Sequence, residues 1–212
     1  MTEPFDRTFL RTLIEDVLAA RSAINADTGG SGRRNAVRAT FAAIEGDLWF
    51  LRQHVIETAT SMNTLTPLAG MALREETYLV GNKGEVIRQV RSVPLLQGIR
   101  LIESQARLIA PEIRVRYDHA GWQALRLGHA IRNRITHPKK SADLDVSDDE
   151  LAMVAQGIDW LLATTEYIMA SILIAHKEHV AALKAVVAEL TAGNPETLRA
   201  YEEALAASRG NE

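Results

Sequence analysis

The sequence predicts a mainly all-α fold, an antiparallel helical bundle with a small β-hairpin inserted around residues 77–91. Three observations carry this expectation. Apolar residues recur at spacings of three and four along most of the chain, the mark of amphipathic helices. One stretch, "TYLVGNKGEVIRQV", switches to short β-branched and aromatic runs around a Gly-Asn-Lys-Gly turn. Prolines, glycines and capping residues fall between the helical stretches, where helices must stop and start. With 212 residues, 47% of them hydrophobic and 24% charged, the composition is that of a globular chain with an ample core. It is read as one domain, residues 1–212.

Phe5, Phe9, Leu13 and Val17 lie four apart and mark a first helix that ends near "ADTGGSGRR". Asn35 is the expected cap of the next helix. Its Val37, Phe41, Ile44, Leu48, Leu51 and Val55 alternate spacings of four and three, a seam for lying along another helix. After the hairpin, Pro94 suits a helix start, and Leu95, Ile99, Ile102 and Leu108 form its apolar face up to Pro111. Another helix begins near Gly121, with Leu127, Ile131 and Ile135 as its buried stripe. Pro138 disfavours helical angles at His137, so that helix ends at Thr136 or His137. Ser147 and Glu150 have the spacing of a capping box. Behind them Leu151, Val154, Ile158, Leu161, Leu162 and Tyr167 to Ile174 predict a long, well-buried helix. "AGNPE" then breaks the pattern before a peripheral C-terminal helix at about 195–209.

Composition also excludes some chemistry. Without cysteine there are no disulfides, thiolate metal sites or cysteine nucleophiles, which suits a cytoplasmic protein. The start, Met1-Thr-Glu-Pro-Phe-Asp, lacks the pattern of a signal peptide. Tyr167 to Ala175 is too short to span a bilayer, so no membrane role is expected. A net charge of −3 argues against a generic nucleic-acid binder. The local balance differs: Arg126 to Lys140 holds five Lys or Arg and no acid, before the acids of "DLDVSDDE".

That basic segment contains the most informative motif, "AIRNRITHPKK", at a helix end. Asn133 and His137 are i, i+4 neighbours, with His129 a turn earlier on the same face. Arg132 offers a planar fork that matches two phosphate oxygens. Imidazole moves protons near neutral pH, and an amide can fix its tautomer or hold a hydroxyl. Spacing leaves two readings open. Cations and a histidine also complement the carbonyl end of any helix dipole, and His-Pro is an ordinary stop.

Arg132-Asn133, three residues, then His137, within "RNRITHPK…VSDDEL" of a helical chain, resembles the R-x4-H motif of the HEPN superfamily. The resemblance covers the central and C-terminal helices and, more loosely, residues 35–57. It implies a helical bundle that forms a homodimer and brings two copies of the motif into one composite site. It also implies a metal-independent endoribonuclease with no cofactor, of the kind found in toxin–antitoxin, phage-defence and RNA-processing systems. Carried over, Arg132 contacts the scissile phosphate, His137 acts as general acid or base, and Asn133 orients them. Arg126, His129, Arg134, Lys139 and Lys140 are further candidates for RNA or phosphate contact, and Glu45 on the seam helix is an added candidate. Some members carry a tyrosine two residues after the histidine that a partner enzyme modifies. Here Lys139 stands there, so any antitoxin or regulator is expected to be a separate protein acting otherwise. The alternative is a HEPN-like module that binds nucleic acid or a partner protein and cleaves nothing.

Other motifs read as structure. His176 and His179 lack a third ligand and fit a solvated helix face better than a metal site. "TGGSGRR" lacks the phosphate-loop pattern and reads as an interhelical loop. Trp49, Trp122 and Trp160 read as core or interface anchors. Arg114 and Arg116 suit solvated charge near a helix start more than an extended RNA surface.

Overall fold

The computed structural model describes residues 7–26 and 30–209. Its helices are α1 (Arg7–Ser22), α2 (Ser31–Ser61), α3 (Pro67–Leu73), α4 (Leu95–Ile109), α5 (Ala120–Thr136), α6 (Asp148–Thr191) and α7 (Pro195–Arg209). One antiparallel hairpin, β1 (Glu76–Val80) and β2 (Val86–Val90), sits between α3 and α4. The all-α bundle with an inserted hairpin is therefore the observed fold. The hairpin turns where expected, with the Gly84 N–H bonded to the Gly81 carbonyl at 2.9 Å and Gly84 at φ 82°. Short α3 escaped the sequence reading; Thr66 caps it and Pro67 starts it. Phe5 lies outside the described residues.

The α2 seam is buried along its length: Val37, Phe41, Ile44, Leu48, Leu51 and Val55 are each at most 7% exposed. Each such side chain contributes roughly 1.5–3 kcal/mol by leaving water. They join Ile99 and Ile102 of α4, Leu125, Ile131 and Ile135 of α5, and Leu161, Ile168 and Ile172 of α6 in one core. α2 begins four residues before the expected cap. Gly30, at φ 73°, occupies the N-cap, so part of the glycine-rich loop is helix and Asn35 lies inside it, accepting from Arg38.

Three apolar faces differ from expectation. On α5, Leu127 is exposed, and Gly121, Ala124, Leu125, Gly128, Ile131 and Ile135 face inward. The inner position belongs to Gly128 because a Cβ there would lie 3.3 Å from Val154 and 3.5 Å from Phe41. Leu108 of α4 is exposed, its place in the core taken by Ala106 and Ile109. On α6, Tyr167, Leu173 and Ile174 are exposed, and Ile168, Ser171 and Ile172 carry the packing. α6 also contains an 18-residue window apolar enough by composition to cross a membrane, longer than the Tyr167 to Ala175 run; 33% of that window is buried inside the molecule. Trp122 is core and stacks edge-on with Tyr117, whereas Trp49 is half exposed beside Phe9.

α5 and α6 approach to backbone contact. A Cβ on Gly157 would fall 2.8 Å from Leu125 Cα and 2.9 Å from its nitrogen. Neither atom can move without shifting the whole helix. Gly157→Ala is therefore expected to destabilise by about 1–3 kcal/mol, lowering Tm by several degrees in a thermal melt. An unchanged Tm would show that the crossing can slide.

Candidate phosphate-binding site at the end of α5

Pro138 stops α5, and the backbone answers with a cap at His137 (φ −125°, ψ 59°), whose N–H bonds to the Asn133 carbonyl at 3.0 Å. Neighbouring groups satisfy other carbonyls of this end. The Thr136 hydroxyl donates to the Arg132 carbonyl at 2.7 Å, and Arg38 of α2 reaches the Ile135 carbonyl at 3.4 Å. The His137 side chain is exposed and makes no hydrogen bond among the described residues.

Arg132 does not meet His137 through any hydrogen bond. Its guanidinium donates through Nη2 to Glu45 Oε1 at 3.0 Å and through Nη1 to Asn133 Oδ1 at 3.2 Å. The Asn133 amide in turn lies 3.4 Å from His129 Nε2. With Oδ1 taken by an arginine donor, the amide NH2 is the group facing His129, so Nε2 accepts and the proton sits on Nδ1. Burial lowers the His129 pKa, as does the Arg132 charge, while Glu45 opposes both; the neutral ring is favoured. A chain from Glu45 through Arg132 and Asn133 to His129 results. The expected trio of Arg132, Asn133 and His137 is thus divided: the first two are joined, and His129 takes the amide that His137 was expected to share.

The other candidates separate by what holds them. Arg134 grips both Glu150 oxygens, at 2.9 and 3.0 Å, and the Asp145 carbonyl at 2.6 Å. It ties the end of α5 to the start of α6, where Glu150 closes the predicted capping box with Ser147. Arg126 is exposed and, among the described residues, bonds only Gln123, at 3.0 Å. Lys139 and Lys140 lend their backbone N–H groups to Asp143 at 2.8 and 3.1 Å and keep their side chains in solvent. Those bonds, Lys139 first, hold the Asp143 carboxyl below its usual range. Arg116 pairs with Asp118 in solvent, and Arg114 bonds the Pro111 and Ile113 carbonyls.

Sequence reading missed the arginines at the start of α2. Arg33 binds the Val146 carbonyl at 3.0 Å and Asp148 at 2.8 Å, and Arg34 reaches the Leu144 carbonyl at 3.3 Å. The visible signal was "GRR" in a helix's first turn, where cations oppose the dipole and need another reason to be there. They latch the loop between α5 and α6. Among the described residues no cluster of three His, Asp or Glu is placed to hold a metal, and His176 is hydrogen-bonded to Ser61 at 3.2 Å.

Beside the charged chain opens a cleft of about 500 Å³, with Glu45 and Arg132 at its wall. A phosphate at Arg132 would therefore sit at the rim of a cavity and compete with Glu45 for the guanidinium. Comparison with known proteins finds no matching family model, no matching curated protein and no matching solved structure.

Arg134 and Glu150 make a pH-dependent clamp. Hydrogen bonding from Arg134, the largest influence, holds the Glu150 carboxyl below its ordinary value of 4.5. A depressed carboxylate stabilises the fold fully above that ordinary value, and the gain disappears as pH falls through the folded-state pKa. Arg134→Ala should cost about 1 kcal/mol at pH 7, discounted because both side chains are partly solvated. The difference from the native chain should shrink in urea titrations repeated below pH 4.5. A gap of equal size at acid pH would show that the side chain's packing, not its charge, matters.

Proposed function

We propose that the chain is a metal-independent, HEPN-like endoribonuclease that cleaves RNA at a composite site in a homodimer. The observation that carries this reading is the end of α5. There a guanidinium, oriented by Glu45 and Asn133, and a solvent-facing imidazole stand within six residues on a proline-terminated tip. In the reaction, the ribose 2′-oxygen attacks its own phosphorus and the bond to the departing 5′-oxygen breaks. His137 takes the 2′-hydroxyl proton, and the partner subunit's His137 supplies the proton that the leaving oxygen needs. Arg132 stabilises the charge on the phosphoryl oxygens, releasing Glu45 as it does so. The products are a 2′,3′-cyclic phosphate and a 5′-hydroxyl, balanced without water or metal. Asn133 is a positioning residue that aims Arg132, and neutral His129 holds Asn133. Lys139, Lys140 and Arg126, all facing solvent, supply charge along the RNA backbone, whereas Arg134 is structural.

A cytoplasmic toxin or phage-defence component, held in check by a separate antitoxin or regulator, is the setting that the resemblance supplies. A second reading has its own support. In the single chain Arg132 is neutralised by Glu45, and His137 is hydrogen-bonded to neither, as suits a HEPN-like module that binds nucleic acid or protein without cleaving it.

Purified protein incubated with structured and unstructured RNA in chelator decides between them. The native chain should cleave, and His137→Ala should lose about 10²–10⁴-fold in rate, the usual worth of a general acid or base. Its Tm should not change, because the side chain is exposed. Activity that needs a divalent metal, or that survives in His137→Ala, rejects the nuclease reading. RNA binding without turnover selects the binding module.

A further inference from the structure

Apart from Glu45 and Arg132, the cleft is built from groups that the cleavage chemistry does not use. Leu48 and Ile102 form apolar wall, and Trp49 stands at its side with its ring half exposed. The lining also holds a fixed polar pair. Arg52 of α2 binds Glu75 Oε1 at 3.3 Å, and the same oxygen accepts the Val93 N–H at 3.0 Å. Both side chains are largely buried, at 21% and 24% exposure. Glu75 follows the C-cap of α3 in the left-handed conformation that commonly ends helices, at φ 56°, which fixes where its side chain leaves the helix.

We propose that this cleft is a base-specificity subsite that takes a guanine adjoining the phosphate held by Arg132; the phosphate's place rests on the reading above, the base's on the cleft itself. The chemistry matches on each edge. Trp49 offers a face for stacking, which any base accepts. Guanine presents adjacent N1–H and N2–H2 donors, suited to a carboxylate such as Glu75, and a 6-carbonyl beside N7, the pattern that arginine recognises. Adenine lacks the carbonyl, and the pyrimidines lack the paired donors or the length. A volume of about 500 Å³ is the size of an ordinary small-ligand cavity. Arg132 borders the same cavity, so base and phosphate of one nucleotide can be held together.

Gly98 of α4 provides a clean probe. It lines the cleft, and a Cβ built there meets nothing nearer than Val93 at 3.9 Å, so a larger side chain projects into free space. The test uses the His137→Ala background and short single-stranded RNAs identical but for one central G, A, C or U, followed by fluorescence anisotropy. The G-containing RNA should bind about tenfold tighter than the others, the worth of one well-made base contact. Gly98→Phe should abolish the preference, Gly98→Ala should keep it, and Trp49→Ala, at an exposed position, should weaken it. Equal binding of the four RNAs overturns the subsite, as does a preference that survives both Gly98→Phe and Trp49→Ala. Because binding is read without turnover, the two readings fail separately. A G preference in a chain that never cleaves leaves the subsite standing and removes the nuclease. Cleavage by the native chain with no base preference does the reverse.

Discussion

The close crossing of α5 over α6, with Gly157 pressed on the Leu125 backbone, is the constraint on which the other arrangements depend. No side chain fits between the two helices there, so their separation and angle are set by backbone against backbone. From that point α5 runs toward its proline-stopped tip and α6 runs back from its capped start. The two ends are held together by the fork of Arg134 on Glu150. α2 packs across both and contributes Phe41 against Gly128 and Arg38 on the Ile135 carbonyl. The charged chain from Glu45 to His129 is a consequence. It spans α2 and α5, and its geometry would loosen if either helix moved relative to the other.

Within that frame the charges divide into two kinds. Arg33, Arg34, Arg38 and Arg134 are spent on carbonyls and carboxylates of the loop and helix ends, where leaving those acceptors unmet would be costly. Arg132 is different because its guanidinium bonds only side chains among the described residues, Asn133 and the half-exposed carboxylate of Glu45, which another anion can replace. An RNA phosphodiester carries the same single negative charge as a carboxylate and offers the same two-pronged geometry, so it can take the place of Glu45 on the guanidinium. Lys139 and Lys140 stand free at the tip because Asp143 binds their backbone and not their side chains. This distinction, between cations consumed by the fold and cations left for a ligand, is what the functional reading rests upon.

Much of the fold was legible in the sequence because the governing signals are local. The α2 seam, the Gly-Asn-Lys-Gly turn, the Pro138 stop and the Ser147–Glu150 capping box each depend on residues within a few positions of one another. The misreadings are of neighbouring positions. Leu127 looked buried because apolar residues usually are, but Gly128 takes the inner place where α5 lies close against Val154, and beside Leu108 and Tyr167 it is Ile109 and Ile168 that face the core. At the site, Asn133 had histidines four residues away on either side. Only the tertiary structure, which half-buries His129 beside Phe41 and leaves His137 in solvent, decides which one it meets. The arginines of α2 were invisible as loop latches because their partners lie more than a hundred residues away.

In the proposed reaction the substrate's own 2′-oxygen is the nucleophile, served by His137 and Arg132. The chemical ends left on a cleaved RNA distinguish this route from attack by water. Attack by the 2′-oxygen leaves a 2′,3′-cyclic phosphate on one fragment and a 5′-hydroxyl on the other. Fragments ending in a 3′-hydroxyl and a 5′-phosphate would contradict it, since they require an outside nucleophile that neither residue is placed to deliver.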